Sequence, residues 1–255
     1  MVAKRIIPCL DVKDGQVVKG IHFEGLRQVG DPVELGAAYA REGADELVFL
    51  DISATLEGRK TFSTLVTQIA RHIDIPFTVG GGIASLDDAS RLLDAGADKI
   101  SVNSAAIADP TLISRIANQY GSQFVVVAID ARKVTDDPET WHCTTHGGRV
   151  ATDKELFSWA CEAQERGAGE ILFTSMDHDG TRNGFACGLY ARLHGMLSIP
   201  VIASGGAGRI ADIVEVLTTG RADAALAASI FHYGQLTIRQ VKEALRDAGV
   251  PVRLT

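Results

Sequence analysis

No stretch of about 18 consecutive apolar residues occurs in this 255-residue chain, so no membrane-spanning helix is predicted. The apolar run after Lys4 and Arg5 is short and stops at Asp11, too brief for a secretory leader. Cysteine is scarce: Cys9, Cys143, Cys161 and Cys187, with no two at C-x-x-C spacing. That argues against a disulfide framework or a zinc finger and points to reduced thiols in a reducing cytosol. The seven histidines show no metal spacing; His142 and His146 are four apart but fall in a loop-like stretch. Nucleotide-binding glycine motifs and the nucleophile elbow are also missing. The formal net charge of −7 argues against nucleic acid or an anionic membrane as a bulk partner. A phosphorylated small molecule remains compatible, because local backbone N–H groups can hold a phosphate.

What the chain does have is an internal rhyme. Ile6-Ile7-Pro8-Cys9-Leu10-Asp11 is an apolar run ending in an aspartate, and Val125-Val126-Val127-Ala128-Ile129-Asp130 is another, 119 residues later. Ile75–Ile83 parallels Ile199–Ala207 and Glu46–Leu50 parallels Glu170–Thr174, both at an offset of 124. Gly96–Lys99 parallels Arg221–Ala224 at 125. Near-constant offsets over four segments predict two duplicated halves.

Eight short apolar runs read as strands buried on both faces: Arg5–Leu10, Glu46–Asp51, Pro76–Val79, Asp98–Val102, Phe124–Ile129, Glu170–Thr174, Pro200–Ala203 and Asp223–Ala227. Segments with helical spacing alternate with them, most ending at glycines such as Gly43, Gly96, Gly121, Gly167 and Gly249. Strict alternation predicts a parallel sheet. Eight units in about 250 residues predict an α/β fold, a (β/α)8 TIM barrel of two half-barrels, with residues 1–255 as a single domain. Asp14–Asp31 and Lys133–Asp153 are expected to be long loops after the first and fifth strands.

In that fold Asp11 and Asp130 would face each other across the catalytic mouth. One strand-end aspartate can simply cap the following loop; two at equivalent positions point to an acid/base pair. Gly80-Gly81-Gly82 and Ser204-Gly205-Gly206-Ala207-Gly208 follow the third and seventh strands, where glycine lets backbone N–H groups approach an anion. Together with Asn103 and Ser104 after the fourth strand, and Ala228 and Ser229 after the eighth, they suggest two phosphate sites: Gly82, Asn103 and Ser104 at one, Gly206, Ala228 and Ser229 at the other. The plainer reading is that the glycines permit tight turns. The stretch from Asp179 to Gly184 after the sixth strand reads as a simple turn, yet the Gly180 N–H and the Thr181 hydroxyl suit an oxyanion. Lys19, after the first strand, is a surface charge or a lid lysine reaching a phosphate. Arg5, Glu46, Lys99 and Glu170 sit at strand starts, on the face that normally carries stabilising salt bridges.

Several of these motifs resemble one family over essentially the whole chain. They are Cys9–Gly15 with Val17–Gly20, Phe77–Ile83, Gly167–Leu172 and Ala203–Gly208. They are similar to the cyclase subunit of imidazole glycerol phosphate synthase. The resemblance implies a lyase of histidine biosynthesis acting on a ribulosyl-formimino-aminoimidazole-carboxamide ribotide with two phosphates. Ammonia from a glutamine amidotransferase subunit would drive cyclisation to imidazole glycerol phosphate and release aminoimidazole carboxamide ribotide. It implies Asp11 and Asp130 as the acid/base pair, Lys19 in a mobile loop, and Arg5, Glu46, Lys99 and Glu170 as an ammonia gate. The phosphates and substrate would fall to Lys19, Gly82, Asn103, Ser104, Asp179, Gly180, Gly205, Gly206, Ala228 and Ser229. A cytoplasmic heterodimer with no metal or organic cofactor follows. The alternatives are an Amadori-type sugar-phosphate isomerase of the same pathway and a non-catalytic paralogue. The sequence departs from the family in having Phe185 and Ala186 where tyrosine and aspartate are usual, and Asp153 where a glycine is usual.

Overall fold

In the computed structural model, residues 2–21, 24–52, 56–136 and 139–254 are described; for 19–21, 24–27 and 56–61 only the backbone is. Eight strands alternate with eight longer helices. They are β1 Arg5–Lys13, α1 Pro32–Arg41, β2 Leu47–Asp51, α2 Leu56–His72, β3 Phe77–Gly80, α3 Leu86–Asp94, β4 Lys99–Val102 and α4 Thr111–Tyr120. Then follow β5 Val125–Asp136, α5 Leu156–Glu165, β6 Glu170–Ser175, α6 Cys187–Met196, β7 Val201–Ser204, α7 Ile210–Thr218, β8 Ala224–Ala227 and α8 Ile238–Asp247. The strand order β6-β7-β8-β1-β2-β3-β4-β5, with β6 paired again to β5, is that of a (β/α)8 barrel.

The chain divides into two compact units, residues 1–101 with 226–255, and residues 102–225. Within the first, β1 pairs in parallel with β2 (Cys9 opposite Val48, Asp11 opposite Leu50), β2 with β3, and β3 with β4. Within the second, β5 pairs with β6 (Asp130 opposite Thr174) and β6 with β7. Ile6, Ile7, Leu10, Leu47 and Phe49 in one, and Val125, Val127, Ile129, Ile171 and Phe173 in the other, are fully shielded. Both faces of these strands are covered, which is why their sequences run apolar without alternation.

The repeat extends to individual hydrogen bonds. Asp98 accepts from Phe77 N and its own N–H donates to Phe77 O; Asp223 does the same with Val201. Leu47 N donates to Pro76 O, and Ile171 N to Pro200 O. Gly81 and Gly205, both at positive φ, lie so close to the preceding strand that a Cβ would fall 2.0 Å from Asp51 O and 2.8 Å from Ser175 O. Helix starts are local. Asp31 accepts from Val33 N and Glu34 N with Pro32 behind it, and Thr237 and Gln240 form a capping box on α8.

Two expected loops are instead antiparallel hairpins. β1 runs to Lys13, turns at Asp14 (φ 50) and Gly15 (φ 76), and pairs back through Gln16–Ile21, Asp11 lying opposite Val18; Glu24–Gly30 follows. Asp-Gly with positive φ at both positions is the two-residue hairpin turn. β5 runs past Ile129 to Asp136 and pairs with Glu139–Thr145, which pairs with Val150–Glu155 around the positive-φ residues His146, Gly147 and Gly148. Both stretches are rich in charge and glycine and lack the continuous apolar runs of the barrel strands, so they read as loop.

Candidate functional site

Asp11 and Asp130 lie in strands that begin the two copies of the repeat, two and six residues before the strand end, where the hairpin begins to pair. Asp11 is buried, with its neighbour across β2 at Leu50; Asp51, one residue on, is buried as well. Gly82 (φ 64), Ala228 and Ser229 belong to the same unit as Asp11. Lys19 lies opposite Arg27 in the first hairpin; its side chain is outside the described residues.

The surroundings of Asp130 are explicit. Asn103 Nδ2 donates to Asp130 Oδ2 at 3.0 Å, and the Thr174 side chain from the facing position on β6 hydrogen-bonds the carboxylate. Thr144 of the hairpin donates to the Asp130 carbonyl at 3.1 Å. Burial pushes the Asp130 carboxyl up to about 6. The hydrogen bond from Thr174 pulls it down, the Asp179 charge pushes it up, and the Asn103 amide pulls it down. Desolvation wins because it penalises only the charged form. A carboxyl of this kind is a stronger base than an ordinary aspartate and still loses its proton near neutrality, which suits proton shuttling.

Asp179 and Gly180 (φ 75) form a tight turn after β6: Asp179 N donates to Ser175 O at 2.9 Å, and the Thr181 hydroxyl donates to His178 O at 2.7 Å. Gly205 packs on this turn, its would-be Cβ 3.4 Å from Asp179 Cα. Gly206 (φ 113) is tighter still, with a Cβ falling 2.0 Å from Gly184 O. Buried Tyr190 pins the strand below: its hydroxyl lies 2.6 Å from Ser204 O and accepts from Ser204 N at 3.1 Å. Ser104 Oγ accepts from His146 N at 3.0 Å, so the second hairpin is fastened beside Asn103. Asp130, Asn103, Thr174 and Asp179 thus form one cluster. Thr174 and Tyr190 were not singled out from sequence, and His146 was noted only for its spacing to His142; only Thr174 had a usable signal, its place one strand over from Asp130.

At the strand starts of the first unit, Glu46 bridges Arg5 Nη1 at 2.7 Å and Lys99 Nζ at 3.0 Å. Glu170 opens β6 in the second unit. A separate buried pair, Lys242 Nζ to Asp45 Oδ1 at 2.8 Å, has no sequence signal, its members being 197 apart. Phe185 and Ala186 are buried; Phe185 meets the Tyr190 ring edge-on, and Ala186 stands at the N-cap of α6 with no side-chain cap. Among the described residues no group of three metal-ligating side chains occurs and no helix is long and apolar enough to cross a membrane.

The family described as Histidine biosynthesis protein matches residues 5–237. A protein of Parabacteroides distasonis named imidazole glycerol phosphate synthase subunit HisF is 60% identical over 254 residues, covering 100% of both chains. Proteins of the same name from Bacteroides fragilis and Geobacillus thermodenitrificans are 61% and 58% identical over 253 residues, covering 99% of this chain and 100% of theirs.

Proposed function

The chain belongs to the histidine biosynthesis protein family, as a HisF-type cyclase subunit of imidazole glycerol phosphate synthase, and from that premise we propose the reaction its residues carry out. The substrate is the ribulosyl-formimino-aminoimidazole-carboxamide ribotide. Ammonia enters, the imidazole ring closes to imidazole glycerol phosphate, and aminoimidazole carboxamide ribotide leaves. Asp11 and Asp130 move the protons. The observation that carries this reading is the Asp130 cluster, where burial and Asp179 raise a carboxyl to about 6 while Asn103 and Thr174 hold its position.

The two phosphates are held at Gly82, Asn103 and Ser104 and at Asp179, Gly180, Gly205, Gly206, Ala228 and Ser229, with Lys19 closing over one of them. Positive φ at Gly82, Gly180, Gly205 and Gly206 supports this, since such turns can aim N–H groups at an anion. Ammonia comes from a glutamine amidotransferase subunit, past Arg5, Glu46, Lys99 and Glu170. The ion pairs that Glu46 makes with Arg5 and Lys99 at the strand starts support this reading, since they gather three of the four residues at one end of the first unit. Residues 1–255 work as one domain, in the cytoplasm, in a heterodimer.

The test is turnover of the purified chain with the bisphosphate substrate and ammonium salt. Release of aminoimidazole carboxamide ribotide that requires ammonia supports the cyclase. Rearrangement of the sugar without ammonia would favour the isomerase instead.

A further inference from the structure

His232 links three distant parts of the first unit. Its Nε2 lies 2.9 Å from Cys9 O on β1, and its Nδ1 lies 2.7 Å from the Tyr39 hydroxyl on α1. A carbonyl can only accept, so Nε2 carries the ring proton. In the neutral ring Nδ1 is then the acceptor and the Tyr39 phenol the donor. Tyr39 is buried, and burial followed by the Glu42 charge pushes its hydroxyl up to about 12, so it stays a donor. The ring is held in one tautomer from both sides.

The repeat supplies a comparison. At the 124 and 125 offsets, Tyr39 corresponds to Ala163 and His232 to Ile107. α1 and α5 correspond residue for residue, Pro32–Arg41 to Leu156–Glu165. Asn103 and Ala228 share nearly the same backbone angles, φ −131, ψ −87 and φ −123, ψ −73. The second compact unit therefore builds the equivalent turn with two apolar residues, Ile107 and Ala163, where the first, which carries Asp11, has the His232–Tyr39 pair. β8 spans only Ala224–Ala227, and Ala228 to His232 follows it directly. Cys9 lies two residues before Asp11 on β1.

We infer that His232, oriented by Tyr39, is a positioning residue that fixes the Ala228–Ser229 turn relative to the strand bearing Asp11. This rests on the reading of Ala228 and Ser229 as phosphate contacts. The tether holds the turn at the spacing at which one phosphate end of the substrate meets the turn while the reacting centre meets Asp11. Its loss acts on binding more than on chemistry.

The experiment compares wild type with Tyr39→Phe, His232→Phe and His232→Gln in ammonium-driven turnover. Binding of inorganic phosphate is measured alongside, with 15N NMR of the His232 ring and a melting curve for each variant. The expected result is a protonated Nε2 in wild type. For Tyr39→Phe and His232→Phe, KM and the phosphate Kd rise about five-fold, the factor carried by one neutral hydrogen bond, with kcat within two-fold. His232→Gln, whose amide can still donate to Cys9 O, recovers part of the loss. An Nδ1-protonated ring, or a folded His232→Phe whose KM and phosphate Kd stay at wild-type values while only melting falls, would overturn the proposal. The tautomer and the phosphate Kd need no turnover. If wild type binds phosphate but turns nothing over, the proposed reaction fails while the tether is still judged.

Discussion

Asp130 shows how far residue chemistry outruns sequence. The strand-end aspartate was visible; the amide, hydroxyl and second carboxylate that tune it arrive from β6 and from the segments after β4 and β6, which no local pattern links. With a carboxyl at about 6, kcat/KM should fall on the acid side with an apparent pKa near 6. The Asn103 N–H favours the carboxylate, so Asn103→Ala should move that limb to higher pH, as a pH–rate profile would register. Stability follows the opposite sense to a salt-bridged aspartate. The folded-state value lies above the ordinary 3.8, so the protonated form's contribution is complete below about 3.8 and lost as pH rises through about 6. Asp130→Asn should therefore melt higher than wild type at pH 8, by on the order of 1–3 kcal/mol, the gap closing towards pH 4. Asn103 adds one more detail: among the described residues its buried Oδ1 has no hydrogen-bond partner.

Element ends were legible at glycine stops, Gly43, Gly96, Gly121, Gly167 and Gly249 each following a helix by one or two residues, and strands where both faces are covered. The hairpins were not, because Asp14-Gly15 stood in a stretch read for its charge and glycine content rather than for its turn type. Two changes at the elements have opposite expected signs. Ala186→Asp would place an oxygen at the uncapped start of α6 and should raise stability by about 1 kcal/mol in chemical denaturation. Gly206→Ala would drive a methyl to 2.0 Å from Gly184 O at φ 113, and should cost more than about 2 kcal/mol and weaken phosphate binding.

For the molecule as a whole, the duplication was the most readable feature, since constant offsets in strands reappear as matching hydrogen bonds at Asp98 and Asp223. Where the copies differ, sequence was silent. Asp45 has Gly169 as its counterpart, and only Asp45 accepts from Ile6 N, Lys242 and Arg253. Both members of the Asp45–Lys242 pair are only 3% exposed. Lys242→Met leaves that carboxylate short of its buried cation and should destabilise by about 3 kcal/mol. Adding Asp45→Asn should recover part of this in a double-mutant cycle.

The proposed pair of equivalent aspartates, running an ammonia-dependent ring closure, stands or falls on one measurement. Release of aminoimidazole carboxamide ribotide from the formimino-ribulosyl ribotide with ammonium salt is followed in wild type, Asp11→Asn and Asp130→Asn. The expected result is turnover in wild type and a loss of about a hundred-fold or more in each variant, with phosphate binding retained. Variants that keep wild-type turnover, or a wild-type chain that binds the substrate and never turns it over, would rule the aspartate pair out.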